Sequence, residues 1–110
     1  MPTETLSMDE IQGLRKSSIT ASIHPITHEE LKALGESLFP SVEQPWRQTY
    51  FEFLAQNPSA TFYHASTHDR VHVLYCRDRE IGIWFLPGSA MGPLQPRGLQ
   101  TLREIVDHLP

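Results

Sequence analysis

Residues 71–86, VHVLYCRDREIGIWFL, leave few folds open. Two runs rich in β-branched and aromatic residues flank the charged link RDRE at 77–80. That link is too short for anything but an antiparallel hairpin. In the first run Val71, Val73 and Tyr75 share one face, and His72, Leu74 and Cys76 the other. In the second, Ile81, Ile83 and Phe85 oppose Gly82, Trp84 and Leu86. A hairpin with one solvated face alternates apolar with polar residues. This one is apolar on both faces through its last strand, so something must cover each side: the chain's own helices, or another chain.

A third strand is expected at 61–66, joined to the hairpin by THDR at 67–70, which makes a meander. Before it the pattern is helical. Thr27 and Glu30 form a capping box, Ile26 and Leu31 stand at the spacing of a hydrophobic staple, and Leu31, Leu34 and Leu38 line one face up to Pro40. A second helix opens near Pro45, with Trp46, Tyr50 and Phe53 at i, i+4 and i+7. A last helix near 96–108 carries Leu99, Leu102, Val106 and Leu109 on a stripe bordered by Ile105. Farther upstream, Ser7 and Glu10 form another capping box, opening a short helix to about Lys16. The stretch SSITASIH alternates with a period of two, as an edge strand or as an arm that orders against a partner.

The expectation is an α+β fold: a three- to four-stranded antiparallel meander with N-terminal helices and a C-terminal helix packed on it. Residues 1–24 form an N-terminal arm with a short helix, and 25–110 a single domain. The balance of 13 Asp+Glu against 9 Lys+Arg gives a net charge of −4. With no clustered basic stripe, direct nucleic-acid binding is not expected. The longest apolar run, IGIWFLP, is too short to span a membrane, and MPTETLSMDE has no signal-peptide pattern. One cysteine, Cys76, allows no disulfide within the chain and fits a cytoplasmic home.

The chemistry-bearing residues are sparse. His64, His68 and His72 are four apart, a ligand spacing on a helix but not on two strands and their turn. There the register decides: a three-residue loop pairs position 64 with 72 on one face, and a loop one residue longer turns His72 to the other. Cys76 and His72 share a strand face but lie about 13 Å apart along it, too far for proton transfer. Asp78 and Glu80 alternate with Arg77 and Arg79 in a turn without apolar walls to shift a carboxyl pKa. Gly88-Ser89-Ala90-Met91-Gly92 lacks the Lys-Ser/Thr of a P-loop and the glycine spacing of a dinucleotide fingerprint. Pro93 and Pro96 remove amides an anion nest would use, so the loop is expected to be a corner between strand and helix. No catalytic, cofactor or metal residue is assigned, and no cofactor is expected.

The apolar surplus points instead to contact with protein. Trp46, Tyr50, Phe51, Trp84, Leu86, Met91, Leu102 and Ile105 are the candidate interface residues, in a homodimer or against a partner protein. The segment VLYCRDREIGIWFLPGSAMGPLQPRGLQTLREIV resembles the C-terminal half of small bacterial cytoplasmic proteins. In size and order of elements the chain is similar to the QslA-like family of quorum-sensing antiactivators. That resemblance implies a dimer that binds the ligand-binding domain of a LuxR-type transcription activator (LasR) and blocks its dimerisation. Two other readings stay open: a small enzyme or ligand binder with a sheet–helix pocket using His64 or His72, and an immunity- or antitoxin-type inhibitor.

Overall fold

The three expected strands form, and one more extends the sheet at each edge. In the computed structural model, which describes residues 22–66 and 71–109, the order is β1 (His24–Ile26), α1 (His28–Leu38), α2 (Arg47–Gln56), β2 (Phe62–Ser66), β3 (His72–Cys76), β4 (Ile81–Leu86), β5 (Ala90–Pro93) and α3 (Pro96–Asp107). The expected helix opening at Ser7, most of the alternating stretch after it, and the THDR link lie outside the described residues. The sheet is a five-stranded antiparallel array in sequence order, β1 to β5, in an α+β fold. The strand count exceeds the three to four expected.

The extra strand β5 replaces the expected strand-to-helix corner, for two physical reasons. Gly88, at φ 82°, supplies the left-handed residue that turns the chain back after β4. Pro93 is tolerated because of the register. The Leu94 amide donates to the Gly82 carbonyl (2.9 Å), so the bonded pairs are those in phase with it, Trp84↔Gly92 and Leu86↔Ala90. Ile83↔Pro93 is a non-bonded pair, and the missing N–H of Pro93 points away from β4, where no ladder bond is lost. At the other edge, the Ser22 hydroxyl donates to the Ser66 carbonyl (2.9 Å) and accepts from the Ser66 amide (3.0 Å), extending the β1–β2 pairing by one rung. Ile23 and His24 thus belong to the domain's sheet and core.

Both faces of the sheet are covered by the chain's own helices. On one, Leu31 and Phe39 from α1 and its end, with Tyr50 and Leu54 from α2, pack over Phe62, Leu74, Ile83 and Phe85. On the other, Leu102, Ile105 and Val106 of α3 pack over Val73, Tyr75 and partly buried Trp84. The two-sided apolar pattern of 71–86 is therefore satisfied internally. The Thr27 capping box forms as expected: the Glu30 amide donates to Thr27 Oγ1 (3.1 Å) and the Thr27 amide to Glu30 Oε1 (2.9 Å).

The RDRE link is tied to α3. Arg77 pairs with Asp107 (2.7 Å) and Glu80 (3.6 Å), and Arg103 reaches Glu80 (3.5 Å) and Asp107 (3.9 Å). These pairs are partly solvated and contribute little each; they join the turn to the end of α3, whose apolar face packs on the sheet. Arg79 donates to Asn57 Oδ1 (2.9 Å) at the end of α2, so the same turn touches both helical layers.

Gly82 sits close against the β3 backbone and Leu94. A Cβ there would lie 2.5 Å from the Leu74 carbonyl oxygen and 2.5 Å from Leu94 Cδ1. A backbone carbonyl cannot rotate aside as a side chain can. Gly82→Ala is therefore expected to cost about 1–3 kcal/mol, as overpacking of a filled core does. A urea titration checks this, and an unchanged midpoint would mean the strand shifts freely.

Candidate functional site

The exposed apolar residues gather around the start of α2. Pro40 ends the first helical segment, and the chain turns through Ser41, whose Oγ accepts from the Glu43 amide (3.2 Å) and whose carbonyl accepts from Gln44 (2.9 Å). Trp46 then takes φ 73°, a left-handed conformation uncommon for a bulky residue, and no side chain caps the helix there. Arg47 holds the loop down. Its guanidinium donates to the Phe39 carbonyl and to Glu36 (3.3 Å), and lies 5.0 Å from the centre of the Phe51 ring. The result is a braced loop carrying two large exposed hydrophobics, Val42 at 83% and Trp46 at 40% exposure.

Among the described residues, two clefts flank α2. One, of about 320 Å³, runs between the helix and the β4–β5 hairpin; Trp46, Thr49, Glu52, Phe53 and Gln56 form the helical wall, and Ile83, Met91, Gly92 and Pro93 the other. The second, of about 340 Å³, is more open and is lined by Val42, Arg47, Gln48, Phe51, Glu52 and Ala55. Glu52 stands between them and accepts from Gln48 Nε2 (2.9 Å).

The eight residues singled out in the sequence divide on burial. Trp46 and Met91 line the first cleft and Phe51 the second. Leu86 and Trp84 are partly buried; Trp84 packs in the α3 layer, with its Nε1 buried and unpartnered among the described residues. Tyr50, Leu102 and Ile105 are buried in the chain's own core. Tyr50 donates to the Leu31 carbonyl (2.7 Å) and meets the rings of Phe39, Phe51 and Phe85. Helical periodicity sets it on one stripe with Trp46 and Phe53 but does not say against what that stripe packs. Val42 and Glu52 were missed. The signal for Val42 was a lone apolar residue in the polar loop SVEQ, with no periodic partner on any helix face.

The histidines form a row instead of a ligand set. Ser66 pairs with His72 and His64 with Leu74, a longer loop than either register considered above; parity keeps both histidines on one face as diagonal neighbours. His64 Nε2 and His72 Nδ1 are 2.9 Å apart in a hydrogen bond, and their rings stack 5.2 Å apart. His24 meets His64 edge-on and His72 stacks on Phe85. Burial, with the neighbouring His72 and His24, lowers the pKa of His64 to about 4, and burial lowers that of His72. Among the described residues no group of three or more His, Cys, Asp or Glu is placed to hold a metal ion, and His68 lies outside them. Cys76 is fully buried, in the core beneath α1 and α2.

No helix among the described residues is long and apolar enough to cross a membrane. Comparison with family models, curated proteins and solved structures finds no match for this chain.

Proposed function

We propose that this chain is a non-enzymatic regulatory protein that binds another protein through the loop 40–46 and the adjoining surface of α2. The observation that carries the reading is the pair of exposed hydrophobics, Val42 and Trp46, on a loop held in place by Arg47. A braced loop loses little conformational entropy on association, and aromatic anchors dominate protein interfaces. Association by sheet extension is disfavoured: β1 is three residues long with Pro25 at its centre, and β5 is four residues ending in Pro93. With both sheet faces covered internally, the exposed large hydrophobics among the described residues are those of this loop, Val42 and Trp46.

The partner in this reading is a LuxR-type transcription activator (LasR), whose dimerisation and DNA binding the protein blocks, with the free protein a cytoplasmic homodimer. That identity rests on the resemblance of residues 73–106 and of the order of elements. An immunity- or antitoxin-type inhibitor would use the same surface on a different target. The acid/base reading of His64 and His72 has less support, because neither cleft beside α2 is lined by either ring.

The double variant Val42→Asp/Trp46→Asp tests the reading. Both positions are exposed, so the variant is expected to fold with an unchanged circular dichroism spectrum. It is expected to bind the activator's ligand-binding domain at least about 30-fold more weakly by calorimetry, as loss of a ~2 kcal/mol hot spot requires. Wild-type protein that fails to bind the activator overturns the partner. Undiminished binding by the variant overturns the surface.

A further inference from the structure

We propose that the cleft between α2 and the β4–β5 hairpin is a binding site for a small organic cation, an ammonium or guanidinium carried on an apolar body. The inference goes beyond the protein-binding reading and does not need it, although Trp46 stands at both sites.

Three features of the cleft converge on that chemistry. Two aromatic residues, Trp46 and Phe53, line it together with Glu52, which stands between this cleft and the second one. Rings with a nearby carboxylate attract an organic cation through the ring quadrupole and the charge together. Among the described residues Glu52 has no cation partner; its one bond is from Gln48 Nε2 to Oε2. The nearest basic residue on the helix, Arg47, lines the opposite cleft and is engaged by Glu36 and the Phe39 carbonyl.

The second feature is the rim supplied by β5. In the β4–β5 ladder the bonded pairs are those at Gly92 and Ala90, so the carbonyls of Met91 and Pro93 point away from β4, toward an edge that no strand among the described residues pairs. Proline has no N–H to set beside them. This edge therefore presents two acceptors and only the Met91 amide as donor, a bias that suits a hydrogen-bond-donating head group.

The third is size and lining. The cleft holds about 320 Å³, and Ile83, Met91 and Pro93 supply an apolar wall opposite Thr49 and Gln56. That volume is near the lower limit for ligand clefts, which favours a small amine over a nucleotide. An anion would meet Glu52 with no compensating charge on the lining.

The test is a titration of the full chain, without any protein partner, with n-hexylamine at neutral pH, followed by amide and indole cross-peaks in a nitrogen–proton correlation spectrum. Saturable shifts are expected at the Trp46 indole and at Thr49, Gln56 and Gly92. n-Hexanoate is expected to cause none. Glu52→Gln, an exposed substitution that should leave the free spectrum otherwise unchanged, is expected to weaken the amine tenfold or more. No saturation at millimolar amine overturns the site. Equal binding of n-hexanol or hexanoate, or full affinity in Glu52→Gln, overturns its preference for a cation. Because no partner is present, neither result depends on the protein-binding reading.

Discussion

Acidification from neutrality to about pH 4 is expected to destabilise the fold by about 3 kcal/mol through His64 alone, with His72 adding in the same direction. His64 is only 8% exposed, and its ring faces two other imidazoles, so the folded state holds it neutral well below the ordinary histidine range. The unfolded chain takes up that proton near pH 6.5. Below that pH the unfolded state binds more protons, and stability falls as pH falls. The contribution is fully present above the unfolded value, and its loss is complete once pH drops past the folded one. The groups shown against the pair are His24 on β1 and the Phe85 ring, and among the described residues no carboxylate is bonded to either His64 or His72.

Urea titrations at a series of pH values measure the slope, and His64→Gln should flatten it between pH 6.5 and 4. Asp107 is held below its usual value by the Arg77 hydrogen bond, and Glu30 by its bonds to Thr27. Both therefore act below their own unfolded values, in a more acidic window. A slope that survives His64→Gln intact would place the acid sensitivity elsewhere.

Tyr50→Ala is expected to cost about 3–5 kcal/mol, the range for truncating a buried aromatic, and a domain of this size has little more to lose. The ring is fully buried, touches three other aromatic rings and satisfies its hydroxyl on Leu31. Gly35 shows how closely the space is filled, since a Cβ there would stand 2.5 Å from Tyr50 Cε2. Tyr50→Phe keeps the ring and should lose only about 1 kcal/mol with the hydrogen bond. Thermal melts of the two variants separate packing from the hydroxyl. A Tyr50→Ala protein that melts like wild type would return Tyr50 to the surface, where its aromatic character first suggested an interface.

That contrast marks what was legible in the sequence. Periodicity of two found β2, β3 and β4, and periodicity of 3.6 with the Thr27 capping box found α1 and α3. These signals are local, and the residues that carry them sit in their own elements. β5 was illegible because its residues, Ala-Met-Gly-Pro, have poor strand propensity; only the register against β4 makes Pro93 acceptable. The cleft was illegible for a related reason. Phe53 and Ile83 become neighbours through the crossing of helix and sheet, a long-range fact with no counterpart in spacing. Candidate interface residues were chosen by chemical type, and type alone cannot separate Tyr50 in the core from Trp46 at the surface.

The placement of α3 has a consequence for biosynthesis. Val73, Tyr75 and Trp84 are synthesised before the helix that covers them, and the β1 strand waits through both helices of the connection before its partner β2 is made. For that interval the nascent chain displays a broad apolar sheet face to whatever surrounds it, an invitation to chaperones and to misassembly alike. Premature termination anywhere between Pro93 and Leu102 would make that interval permanent. Quality control should therefore clear such fragments quickly, while the full-length chain accumulates.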